Sequence, residues 1–321
     1  MTTLITRRSL FKVMAAAGIA VGSLQSKVMA ATESVQNGIS MVAAIFFDSY
    51  GAVALQRALR YAGDDGFVAS LPALLHARAN APYDNIIWNT WFTANSEENV
   101  VTTPQGNHVV VTVHGGGIFA RPARLERSTR ADLSRSNPEG LTGQYAAKIS
   151  AAEARNVLEG RLPDGSEFPV YAFDEFRRGI KDLPRRYGIV MDFELAKKTK
   201  SDYDSFEALG SNPVLIVRAG GVEPLTAYLD KAQARHNTKV MGNWHPFGRI
   251  DPDQPQTRIL EIAGNKGGVG SEGSDQRLSW GYGEDYGITG NGGMPDMARY
   301  VAVAPRTVST SLQDLDFELC S

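Results

Sequence analysis

HVVVTVHGGGIFA, residues 108–120, is the stretch on which the reading of the fold turns. Between His108 and His114 every residue is valine or threonine, the β-branched types that favour a pleated strand. His108 to Val113 reads as the clearest strand in the chain, a buried one. Gly115, Gly116 and Gly117 then break it.

Outward from this strand, apolar runs between turn residues predict further strands at Asn85 to Phe92, Tyr187 to Phe193, Val214 to Arg218, Arg258 to Ile262 and Tyr300 to Ala304. In the first of these, Ile86, Trp88, Thr90 and Phe92 would share one face. Helical spacing of Met41, Val42, Ile45, Phe46, Leu55 and Leu59 predicts a helix over 39–62. Another is expected at Ser70 to Ala79, with Pro72 in its first turn. Ser150-Ala151-Ala152-Glu153 spells a capping box, and Gly160 suits the end of that helix. Glu223 to Arg235 carries an apolar stripe of Leu225, Tyr228, Leu229 and Ala232. With helices first and strands and helices mixed later, the expected class is α+β. It combines a mixed sheet and an N-terminal helical segment in a single large domain.

The first thirty residues read differently. Arg7-Arg8-Ser9-Leu10-Phe11-Lys12 precedes an uncharged run from Val13 to Leu24, then Lys27 and a cleavage-like Val28-Met29-Ala30. The run is shorter than the roughly 20 residues a membrane span needs. The segment resembles the twin-arginine (Tat) signals of bacteria and archaea, apart from the reversed order Leu10-Phe11. That resemblance implies the Tat translocase as a partner during export, passage in the folded state, cleavage after Ala30 and a periplasmic or secreted product.

Cleavage would remove four basic residues and no acid, moving the formal charge from −2 to −6 over residues 31–321. A mildly acidic chain is poorly suited to nucleic acid or an anionic membrane surface, and with no later segment approaching a transmembrane run, stable membrane insertion is not expected. Cys320 is the sole cysteine, which excludes an internal disulfide and a cysteine-bound iron–sulfur cluster.

The run from Val109 into His114-Gly115-Gly116-Gly117 also resembles the oxyanion-hole turn of hormone-sensitive-lipase-type esterases. The resemblance implies backbone N–H groups aimed at a developing oxyanion. The chain lacks the Gly-x-Ser-x-Gly elbow those enzymes need; Val269-Gly270-Ser271-Glu272-Gly273 misses its first glycine. Gly264-Asn265-Lys266-Gly267-Gly268-Val269-Gly270-Ser271 is similar to the phosphate loop of ParA-type ATPases. Ser271 and Glu272, however, stand where the second lysine and the magnesium-binding hydroxyl belong, so no nucleotide is expected.

Residues 264–293 hold 11 glycines interleaved with Asn265, Glu272, Asp275, Trp280, Tyr282, Glu284, Asp285, Tyr286 and Asn291. Such a mixture suits a calcium loop of oxygen ligands, a ligand-facing surface of flat aromatic faces and hydroxyl-binding carboxylates, or a solvated loop.

His114, Asp192, Glu194, Arg218 and His245 fall at predicted strand ends and adjacent loops. Gathered in one place they would supply a base (His245 or His114), acid or metal-ligating carboxylates, and an anion clamp. A metal is compatible with this set, although His108 and His114 stand roughly 20 Å apart along a strand and cannot share one ion. The leading expectation is an exported, soluble hydrolase or group transferase of unspecified reaction. The alternatives are a non-catalytic envelope protein binding a small molecule or carbohydrate through 264–293, and a structural or assembly factor.

Overall fold

The computed structural model describes residues 33–36, 39–134, 141–142, 146–201, 203–236, 240–243, 247–262, 279–280 and 298–305. Cys320, His245, the signal-like residues 1–30 and all of 264–293 except Ser279 and Trp280 lie outside these.

In chain order the strands are β1 (Glu33–Gln36), β2 (Ile39–Asp48), β3 (Phe67–Val68), β4 (Phe92–Thr102), β5 (His108–His114), β6 (Leu141–Thr142), β7 (Ala146–Lys148), β8 (Val170–Ala172), β9 (Tyr187–Asp192), β10 (Tyr203–Ser205), β11 (Val240–Asn243), β12 (Gln256–Ile262), β13 (Ser279–Trp280) and β14 (Ala298–Pro305). The helices are α1 (Gly51–Ala62), α2 (Leu71–Asn80), α3 (Ile86–Asn89), α4 (Pro122–Ser134), α5 (Ala151–Leu158), α6 (Phe173–Phe176), α7 (Phe193–Lys198), α8 (Phe206–Gly210), α9 (Pro213–Ala219) and α10 (Val222–His236). The fold is α+β, as expected, and the described strands form three sheets. The largest runs β6-β7-β12-β4-β5-β9-β8, a second runs β1-β2-β14-β3, and a third runs β10-β11-β13.

The expected N-terminal helix is half wrong. Residues 39–48 form β2, and only 51–62 are helical. The reason is a strand covered on both sides. Met41, Ala43 and Ile45 pack into one apolar core, while Ala44 and Phe46 pack into another. With both faces buried no polar alternation survives, and the apolar positions mimic helical spacing. β14 behaves alike, with Val301 and Val303 in the first core and Tyr300 and Ala302 in the second.

Two other expectations are corrected. Val214 to Arg218 is helix α9, not a strand. Asn212 starts it, its side-chain oxygen accepting the N–H of Leu215, with Pro213 in the first turn; Gly220 ends it in the left-handed region. Asn85 caps α3 where a strand was expected, and only Phe92 begins one. Trp88 of α3 stacks on Tyr228 of α10, with rings 5.8 Å apart and 9° from parallel. The Ser150–Glu153 capping box forms as read, and α2 and α10 occupy the predicted segments.

Candidate functional site

His114, the expected base, sits at the end of β5 with no solvent exposure. Its Nε2–H donates to the Val217 carbonyl at 2.9 Å, which leaves Nδ1 to accept from Ser96 Oγ at 2.9 Å. Ser96 Oγ in turn accepts the N–H of Leu71 at 2.9 Å. Serine and histidine in contact resemble a nucleophile–base pair, but both are buried and all their polar atoms tie β4 and β5 to α2 and α9.

The His-Gly-Gly-Gly turn is likewise filled from within. The N–H groups of Gly115 and Gly116 both point to the Asn95 carbonyl. Those of Ile118 and Phe119 donate to the two carboxylate oxygens of buried Glu97, at 2.7 and 2.9 Å. Gly117 admits that carboxylate, because a Cβ there would stand 2.1 Å from Oε1. The N–H groups of the turn are therefore occupied from within, by the carboxyl group of Glu97. Burial raises the proton affinity of Glu97, partly offset by these N–H groups and by Asn99. A small recess beside it is lined by Asn95, Gly117, Phe119 and Tyr300. Burial with the nearby Glu261 and Glu97 carboxylates holds the Tyr300 hydroxyl protonated.

Arg218, the expected anion clamp, grips Glu98 of β4 with Nε and Nη2 at 2.7 and 3.0 Å. Arg258 of β12 donates to the same carboxylate through Nε at 2.9 Å. Its Nη2 is as near, but its N–H groups point elsewhere, and Nη1 finds no acceptor among the described residues. Its guanidinium lies 4.3 Å over the Phe247 ring, and burial pushes it down to about 10, with Glu98 opposing. All three charged groups are buried.

Asp192 and Glu194 do not join them. Asp192 pairs with Val109 at one end of β5, whereas His114 pairs with Tyr187 at the other. Five residues of strand separate these ends, roughly 16 Å. Asp192 caps α7 by accepting the N–H of Leu195, and exposed Glu194 pairs with Lys197 at 3.5 Å. Glu194 belongs to that helix, so the two carboxylates do not share a strand face. Among the described residues no three His, Cys, Asp or Glu side chains converge on a metal position.

What the fold brings together is the pair of roots of residues 263–297. β12 ends at Ile262, paired with Phe92, and β14 begins at Ala298, paired with Asp48. Thr93 joins the two roots. Its hydroxyl donates to Glu261 at 3.1 Å and accepts the N–H of Arg299 at 3.2 Å. Within the intervening chain, Ser279–Trp280 pairs in parallel with Gly242–Asn243 of β11. The glycine-rich stretch thus reaches the strand that leads into Trp244-His245-Pro246.

Beside the roots lies a cluster the sequence reading missed. Arg299 stands over the rings of Phe47 and Trp91, at 5.0 and 4.7 Å. Those rings meet edge to face at 6.3 Å. Nη1 of Arg299 donates to the Thr90 hydroxyl and to the Trp91 carbonyl. Phe47 is 45% exposed and Tyr50 68%. Nothing in the sequence marks this group, since it unites three segments more than forty residues apart.

No family model matches the chain, and no curated protein matches it. A solved structure described as "Accommodation of massive sequence variation in Nanoarchaeota by the C-type lectin fold" is similar to it. The TM-score is 0.54 and the identity 23%, over 82% of this chain and 97% of that one. The likeness is one of fold: an α+β domain of the C-type lectin kind. No helix among the described residues is long and apolar enough to cross a membrane.

Proposed function

We propose that this protein binds a ligand rather than transforms one, that the ligand is a carbohydrate, and that residues 264–293 contact it. The observation that carries the reading is Thr93, which holds both roots of that segment to one point of the framework. A binding segment anchored this way can differ in sequence while the strands beneath stay fixed. The similar fold, described for a protein that accommodates massive sequence variation, supports the same division of labour. The side chains expected to do chemistry favour binding over catalysis. His114 and Arg218 are buried, the first held by Ser96 and the Val217 carbonyl and the second by Glu98. Trp280 and Tyr282 supply flat faces for sugar rings, and Asp275, Glu284 and Asp285 supply hydroxyl acceptors. The test is a glycan-binding screen on residues 31–321, beside a variant with 264–293 replaced by a glycine–serine linker. Loss of binding with an unchanged melting temperature supports the reading; retained binding refutes it.

Residues 1–30 would deliver the protein through the Tat translocase to the periplasm or medium. Replacing Arg7 and Arg8 by lysine should trap the precursor in the cytoplasm. Undiminished export in a strain without that translocase would remove the assignment.

A further inference from the structure

We infer that the Phe47–Arg299–Trp91 cluster is a second, fixed part of the binding surface, and that it selects a saccharide carrying a carboxylate, a uronate. The inference rests on the binding reading above and adds a site outside residues 264–293.

Three observations carry it. The first is position. Arg299 is the second residue of β14, and Trp91 adjoins Phe92, the partner of Ile262. The cluster therefore lies where the glycine-rich segment enters and leaves the framework. The second is charge. Arg299 has no carboxylate partner among the described residues, unlike Arg57, Arg124 and Arg218, which pair with Asp48, Glu153 and Glu98. Only Nη1 is engaged; Nε and Nη2 have no partner there and are not among the buried unsatisfied atoms. A planar guanidinium with two donors that no described residue engages is the shape that takes a carboxylate in a forked hydrogen bond. The rings of Phe47 and Trp91 hold it in place, and partial burial lowers its proton affinity, as expected for a cation lacking its counter-ion.

The third is the form of the surface. Phe47 and Trp91 offer aromatic area to the C–H face of a sugar ring. The Trp91 indole N–H has no partner among the described residues and is not among the buried unsatisfied atoms. A stable protein–protein interface buries about 800 Å² on each side, and a patch of two aromatic residues falls well short of that. A single acidic sugar unit matches it in size and chemistry.

The test is titration calorimetry of residues 31–321 with galacturonate, glucuronate and mannuronate trisaccharides and with their neutral counterparts. The wild type should bind a uronate about tenfold tighter than its neutral counterpart, a preference that shrinks as salt rises. Arg299→Gln should abolish the preference, and Arg299→Lys should restore only part of it. Trp91→Ala should weaken both ligands; Trp91→Phe, which keeps the ring packing, should recover most of the neutral binding. Saccharide binding that ignores both Arg299 variants and disappears with the linker replacement of 264–293 overturns this inference and leaves the parent reading standing. A wild type that binds no saccharide overturns both.

Discussion

A Cβ at position 117 would stand 2.1 Å from Oε1 of Glu97, so Gly117 and Glu97 are fitted to each other. Gly117→Ala must push a buried carboxylate off the N–H groups of Ile118 and Phe119. Leaving such groups unpaired costs roughly 1–3 kcal/mol. Gly248→Ala, at a glycine that likewise has no positive φ but has open space around it, is the control and should change stability by less than about 1 kcal/mol. Urea unfolding midpoints compare the two, and equal losses would show that the carboxylate simply moves aside.

Glu261 gives a pH signature. Burial pushes its carboxyl up to about 8 from an ordinary 4.5, and Thr93 is its one hydrogen-bond partner among the described residues. The folded state then keeps a proton that the unfolded chain has released. The stabilisation is complete below about 4.5, falls as pH rises toward 8, and is lost beyond. The slope approaches about 1.4 kcal/mol per pH unit inside that window. Glu261→Gln should gain on the wild type steadily from pH 5 to pH 8 in denaturant titrations. Parallel curves would mean that Glu261 is ionised in the fold.

Glu98 is the shared carboxylate partner of two buried guanidinium groups, Arg218 and Arg258. Glu98→Gln should therefore cost about 3–5 kcal/mol, the usual penalty for breaking a buried ion pair from one side. Glu194→Gln removes an exposed pair and should change stability by less than about 1 kcal/mol. Thermal melts of the two variants distinguish them at once.

Ser96 and His114 touch but are sealed from solvent. A fluorophosphonate probe should leave native protein unmodified by mass spectrometry. Ser96→Ala should instead destabilise by roughly 1–3 kcal/mol, because the Leu71 N–H loses its acceptor. Stoichiometric labelling at Ser96 would return the hydrolase reading to favour.

The sequence exposed those parts of the fold whose signals are local. Ser150 and Glu153 announce their helix because a capping box lies within four residues. The valine run of β5 announces its strand for a similar reason. Elements buried on every side were misread. β2 between two cores lost its alternation, and α9 showed six buried residues in a row and passed for a strand. For the site, residue type was a poor guide. His114 and Arg218 have catalytic chemistry, yet their partners, Ser96 and Val217 for one and Glu98 for the other, come from distant strands and helices. The same distance hid Phe47, Trp91 and Arg299.

The pairing of β2 with β14 sets Met41 beside Pro305 and Asp48 beside Ala298. These contacts span most of the chain, so β2 and both cores beside it stay open until β14 has left the ribosome. Such distant pairings close slowly. A secretion route that threads chains as they emerge would separate the two strands before they could meet, whereas a route that accepts finished proteins lets the domain close in the compartment where it is made.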